Sequence, residues 1–184
     1  MATTADFKNG LYIKYNDKPC MVVYFQHVKP GKGAAILRTK MKNLKTGATQ
    51  ERNFNANVKF ESANIEKKLV NFSYEVDGTY TFMDMQTFET YDLSSEQIGF
   101  NKYFMVDGLE VSLMMFEGQV LTVSVPAIVN LTVTETSPGI KGASNNQTKD
   151  AVTETGLTLR VPQFIEQGEK IAVSTVDGKY SSRA

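Results

Sequence analysis

The chain reads as an all-β protein, three small barrels in a row that make an elongated molecule, and three observations predict this. Short strand-like runs recur every ~8–12 residues, the rhythm of small barrels and sandwiches. Turn dipeptides such as Asp77-Gly78, Glu117-Gly118 and Asp177-Gly178 separate many of them. The charge is also partitioned. Lys and Arg exceed Asp and Glu by 7 over residues 1–63, fall short by 7 over 64–126, and balance over 127–184, so the net charge of the 184 residues is zero.

Taken in order, Leu11 to Tyr15 is the first strand, turning at Asn16-Asp17-Lys18-Pro19 into the apolar run Met21 to Phe25. A Pro-Gly-rich link, Val28 to Ala35, then leads to a strand starting at Ala35-Ile36-Leu37. In that strand Ile36, Arg38, Lys40 and Lys42 share one face, while Leu37, Thr39 and Met41 take the other. Lys45-Thr46-Gly47 turns the chain into a return strand, Thr49 to Phe54. Leu69 to Tyr74 and Tyr80 to Met83 flank the Asp77-Gly78 turn, and Phe88 to Tyr91 continues the strand pattern. Ser94 and Gln97 have the spacing of a capping box and predict a short helix. Leu109 to Leu113 and Val120 to Val125 pair around Glu117-Gly118.

Pro126 marks the second boundary, which gives segments 1–63, 64–126 and 127–184. Val129, Leu131 and Val133 alternate with polar residues, as does the run Leu157, Leu159, Val161. Ser137 to Gly142 is a tight bend, and Ala143 to Asp150 reads as a polar loop. Ile171 to Val173 and the turn at Asp177-Gly178 complete the set. Tyr12, Tyr24, Phe25, Phe72, Tyr74, Phe82 and Phe88 are expected mainly in the barrel cores, although such rings also serve as base-stacking platforms.

Composition narrows the chemistry. No run of ~18 apolar residues is present, which argues against a membrane span. The N-terminal residues lack the apolar stretch of a signal peptide, so a cytoplasmic protein is expected. Cys20 is the single cysteine and His27 the single histidine. Intrachain disulfides are thereby excluded, and a metal centre or histidine-based triad would have to be built around one ring. Cys20 is expected in the core and His27 in solvent. No metal, cofactor or catalytic residue is assigned, and the chain reads as a binder.

The binding chemistry concentrates at one place. In Lys29-Pro30-Gly31-Lys32-Gly33 proline fixes its own φ, and the two glycines permit backbone angles that a Cβ resists. Lys32 is thus an isolated cation at a hairpin tip. The stripe Arg38, Lys40, Lys42 leads down from it, with Lys29 on the opposite arm. Such a row on a basic segment fits the phosphates of a polyanion.

These residues resemble the bacterial elongation factor P family over essentially the whole chain. Ala5-Asp6-Phe7-Lys8-Asn9-Gly10 is similar to its opening segment and Val28-Lys29-Pro30-Gly31-Lys32-Gly33 to its tip loop. The pattern from Lys149 through Ala151, Gly156, Leu159, Val161-Pro162 and Ile165 to Gly168 is similar to its third domain. The bend Ser137 to Gly142 and the ending Gly178-Lys179-Tyr180-Ser181-Ser182-Arg183 also agree.

The resemblance implies an L-shaped, tRNA-like molecule, with a KOW/SH3-like barrel followed by two OB-like barrels. It implies a monomeric cytoplasmic factor without a cofactor. Such a factor binds the 70S ribosome, hence rRNA, between the P and E sites, beside peptidyl-tRNA or initiator tRNA. There it stimulates peptide-bond formation and relieves stalling at consecutive prolines, with Lys32 positioning the tRNA CCA end. Lys32 aligns with the lysine that a modifying enzyme extends in relatives. Tyr180 and Arg183 match residues that face RNA on the small-subunit side. Gly142-Ala143-Ser144-Asn145 occupies the loop that reads the tRNA D-arm, where many relatives have Asp-Thr after the glycine. Two alternatives stay open: an elongation factor P-like paralogue, which shares that Gly-Ala-Ser, and a general OB-type RNA-binding protein.

Overall fold

The computed structural model describes every residue except Lys32 and Asn145. It is all-β, with three antiparallel sheets. The first sheet contains β1 (Ala2–Thr3), β2 (Tyr12–Tyr15), β3 (Lys18–Val28), β4 (Ile36–Asn43), β5 (Thr49–Asn55) and β6 (Lys59–Ser62), in the order β1-β6-β2-β3-β4-β5. The second contains β7 (Ile65–Val76), β8 (Thr79–Met83), β9 (Thr90–Ser94), β10 (Glu110–Phe116) and β11 (Gln119–Ser124), in the order β11-β10-β7-β8-β9. The third is built from β12 (Ile128–Thr136), β13 (Thr148–Thr153), β14 (Thr158–Pro162), β15 (Lys170–Ser174) and β16 (Tyr180–Arg183), ordered β14-β13-β12-β15-β16. By compactness the chain divides into two units, 1–68 with 113–122, and 69–112 with 123–184.

Turn chemistry explains where the strands reverse. Asn16 and Asp17 both take positive φ, as do Asp77 with Gly78 and Glu117 with Gly118. That is the backbone of the two-residue turns whose twist matches paired strands. The capping box forms as its spacing predicts. Ser94 Oγ accepts from the Gln97 amide, the Gln97 side chain accepts from the Ser94 amide, and α1 (Ser95–Ile98) follows.

The first core gathers Phe7, Ile13, Cys20, Val22, Leu37, Met41 and Phe60. Phe54 packs edge-on against Phe60 with ring centres 4.9 Å apart, a favoured aromatic geometry. Burial pushes the Cys20 thiol pKa up, and the charge of Lys18 opposes this. The third core comprises Val129, Leu131, Val133, Ala151, Leu157, Leu159, Val161, Ile165, Ile171 and Val173, with Phe104 inserted from a 3-10 turn at Gly99–Phe104. Thr155 Oγ1 donates to the Tyr103 carbonyl at 2.6 Å beside it.

Three expectations need correction. The polar loop ends at Gln147, because Thr148, Lys149 and Asp150 pair with Pro162, Val161 and Arg160 of β14. Lys149 is buried in spite of its charge, and its ammonium donates to the Ser137 carbonyl. Phe88 lies in a turn and not in a strand. The Asp84 carboxylate accepts from the amides of Gln86 and Thr87, the Asp84 carbonyl accepts from Phe88, and Phe88 takes φ +59°. Phe72 and Phe82 are core residues, but Tyr24, Tyr74 and Phe88 are exposed.

Two outcomes follow from this packing. Leu131→Ala, at a fully buried position, is expected to cost about 2–5 kcal/mol in urea unfolding. For Cys20 the thiol is held neutral, so its contribution is complete below the ordinary thiol range and is lost as pH rises through the raised folded value. The stability difference between wild type and Cys20→Ala should therefore narrow in alkaline buffer, as measured by denaturation midpoints across pH.

Candidate nucleic-acid interface

The geometry of the first sheet starts from the two-residue period of β4. Leu37, Thr39 and Met41 are buried, so Arg38, Lys40 and Lys42 are forced onto the opposite, exposed face. Register with β3 sets Gln26 beside Arg38, Tyr24 beside Lys40 and Met21 beside Lys42. On the other side β5 sets Asn53 beside Arg38, Glu51 beside Lys40 and Thr49 beside Lys42. Glu51 contacts Arg38 Nε at 3.1 Å and Lys40 Nζ at 3.9 Å. Sequence reasoning missed this carboxylate, although counting back from the Lys45-Thr46-Gly47 turn would have placed it opposite Lys40.

The hairpin of β3 and β4 ends in the tip loop. Lys29, Pro30, Gly31 and Gly33 are exposed there, and Lys32 lies outside the described residues. Gly33 takes φ +142° and uses the freedom of a glycine. Gly31 does not enter that region, and a Cβ there would meet open space. His27 is exposed below the tip, edge-on to Phe25 with ring centres 6.0 Å apart. Elsewhere in this unit Lys14 is drawn to Glu117 at 3.6 Å, Glu61 at 3.9 Å and Asp17 at 4.0 Å. Its charge is thereby partly offset.

The third sheet gathers a second set at one end. Gly139, Ile140, Lys141, Gly142, Ala143 and Ser144 line a shallow depression with Gln163, Phe164 and Glu166. Gly142 takes φ +79°, and the Ala143 amide donates to the Ile140 carbonyl. Asn145 lies outside the described residues.

Gln163 clamps the loop at both ends. Its Oε1 accepts from the Ile140 amide at 3.3 Å and its Nε2 donates to the Thr148 carbonyl at 3.2 Å. Gly139 presses so closely on the Gln163 carbonyl that a Cβ has no room. Arg183 stacks over the Phe164 ring at 4.9 Å and pairs with Glu169 at 3.0 Å. It therefore touches the rim of the depression that Gly142, Ala143 and Ser144 line. Tyr180 is half-buried and packs on the core of the sheet. Gln163 and Phe164 were not singled out from the sequence, where Phe164 reads only as one more aromatic after a proline. Among the described residues no three His, Cys, Asp or Glu side chains converge as a metal site, and no helix is long and apolar enough to cross a membrane.

Comparison with known proteins supplies the family. Residues 3–60 match the elongation factor P KOW-like domain, 65–123 the elongation factor P OB domain, and 129–183 the elongation factor P C-terminal domain. The chain belongs to the elongation factor P family. It is thus built from translation-factor domains, a KOW-like one and OB-type ones, and this family is one of translation factors and not of classical enzymes. Membership implies interaction with the ribosome and tRNA. Among solved structures it is similar to the eukaryotic translation initiation factor 5A from Methanococcus jannaschii, at 24% identity and TM-score 0.54, over 66% of this chain and 92% of that one. A translation initiation factor eif-5a family protein from Naegleria fowleri is 17% identical with TM-score 0.50, over 67% of this chain and 96% of that one. At these identities the likeness is one of fold.

The clamp at Gln163 generates a test. Gly139→Ala should displace the 139–144 loop and speed amide hydrogen exchange at Ile140 and Ala143, where hydrogen bonds to Gln163 and Ile140 are lost. Exchange in β12 and β15 should stay unchanged.

Proposed function

We propose that this family member binds the 70S ribosome between the P and E sites, beside peptidyl-tRNA or initiator tRNA. There it relieves stalling at consecutive prolines by holding the tRNA CCA end with Lys32. The observation that supports this most directly is the placement of Pro30, Gly31 and Gly33 at the free end of the β3–β4 hairpin, above the exposed row Arg38, Lys40, Lys42. A tip of this kind brings one cation to a confined RNA surface, while the row behind it meets phosphates.

The proposed gain is positional. Prolyl substrates react slowly because the ring restricts the chain and the reacting groups lose alignment. A lysine held against the acceptor end restores that alignment without supplying a reacting group. An unmodified lysine reaches only ~6 Å from its Cα on a four-carbon stem, which gives a reason for a modifying enzyme to lengthen Lys32. Lys29 belongs to the same tip. In the third segment the proposed RNA contacts are Gly142, Ala143, Ser144 and Asn145, with Tyr180 and Arg183. The depression shared by that loop and Phe164, with Arg183 on its rim, supports grouping them. The proposal takes 1–63, 64–126 and 127–184 as three modules of a cytoplasmic monomer.

Lys32→Ala decides the central point. It is expected to abolish rescue of Pro-Pro synthesis in a reconstituted translation assay and to leave the urea unfolding midpoint unchanged. Rescue at the wild-type rate would overturn the role given to Lys32. Intact mass of the protein from its native host should show added mass on the peptide that contains Lys32.

A further inference from the structure

The outer face of β3, β4 and β5 carries more than cations. Directly opposed residues of antiparallel strands share a face and lie about 4.5–5.5 Å apart at Cβ. The pairings therefore lay out a grid: Gln26, Arg38 and Asn53 in one row, Tyr24, Lys40 and Glu51 in the next. All six are exposed. Tyr24 is 44% exposed even though the strand around it alternates with buried Val22 and half-buried Phe25. The sheet irregularity between Val22 and Tyr24 explains the position. An extra residue, Val23, shifts the strand so that Tyr24 joins the row of Lys40 and leaves the core.

We infer that this face is a binding site for single-stranded RNA, in which one unpaired base stacks on Tyr24 while Arg38 and Lys40 hold the flanking phosphates. The inference deepens the RNA-binding reading above and rests on it. Three features of the grid favour this ligand over others. An aromatic ring beside two cations is the combination that holds single strands, through stacking and backbone charge. The amides of Gln26 and Asn53 offer donors and acceptors for base edges on the same face. A duplex hides the faces of its bases, so it could use the cations but not Tyr24.

Glu51 has a defined part in this site. In the free protein its carboxylate lies between Arg38 and Lys40 and offsets part of their charge. A phosphate arriving at the row must displace it. Glu51 therefore lowers affinity for any polyanion that engages the row, while stacking on Tyr24 adds affinity that only a single strand gains. It tunes affinity through its two neighbours, and the selectivity for a single strand rests with Tyr24.

The test is fluorescence anisotropy with a labelled 12-nucleotide oligouridylate and a 12-base-pair RNA duplex, measured over a range of salt concentrations. Tyr24→Ala should weaken oligouridylate binding roughly 5- to 100-fold, leave the salt dependence unchanged, and leave duplex binding unchanged. Tyr24→Phe should stay within about twofold of wild type, since stacking needs the ring and not the hydroxyl. Arg38→Ala with Lys40→Ala should weaken both probes and flatten the salt slope. Glu51→Gln should tighten both by a similar factor.

Equal oligouridylate binding by wild type and Tyr24→Ala would overturn the stacking site, as would no binding by wild type at low salt. Either result, alongside loss of Pro-Pro rescue in Lys32→Ala, would sink this inference and leave the proposed function standing. Tyr24 is on the surface, so its variants are expected to unfold at the wild-type midpoint. A fall in that midpoint together with weakened duplex binding would assign Tyr24 to the fold and also overturn the site.

Discussion

The two-residue period of β4 constrains much of the first sheet. Leu37 and Met41 must enter a core that already holds Ile13, Val22 and Phe60, and a strand has only two faces. Committing these apolar residues inward fixes Arg38, Lys40 and Lys42 outward without further interaction. A slip of one residue would bury three cations and expose the core residues, a penalty far larger than any single surface contact could offset. The charged row is therefore as rigid as the hydrophobic packing behind it.

Rigidity of this kind matters for the proposed role, which is one of placement. A surface ion pair such as Glu51 with Arg38 contributes little to folding stability. Its effect is on the field that an approaching polyanion meets. The same distinction applies in the third sheet, where Gln163 spans the 139–144 loop with two hydrogen bonds. Neither residue touches a core. Both set where a loop or a charge is available for binding, and the β scaffold makes their positions reproducible.

Much of this was legible in the sequence because it depends on local rules. Hairpin turns at Asp77-Gly78 and Glu117-Gly118, the box at Ser94 and Gln97, and the alternation in β12 and β14 each follow from neighbouring residues. The misreadings share a different cause. Lys149 sits in a polar run that reads as a loop, and only a partner twelve positions away, the Ser137 carbonyl, makes its burial tolerable. Phe88 continues a strand pattern in the sequence, but the Asp84 carboxylate four residues earlier closes a turn before it. Tyr24 was expected in the core because its strand is apolar, and one extra residue in the pairing turned it outward. Of the site, the tip and the cation row could be read directly. Glu51 and Gln163 act across strands and loops, and spacing along one element does not reveal them.

The insertion of Phe104 among Leu131, Leu159 and Ile171, with Thr155 bonded to the Tyr103 carbonyl, has an evolutionary corollary. A gene fragment starting near Ala127 would encode five strands with a hole where an aromatic ring belongs. Residues 69–112 and 123–184 fall in one compact unit, so the turn at Gly99–Phe104, or a bulky replacement for Phe104, is expected wherever this last sheet is kept.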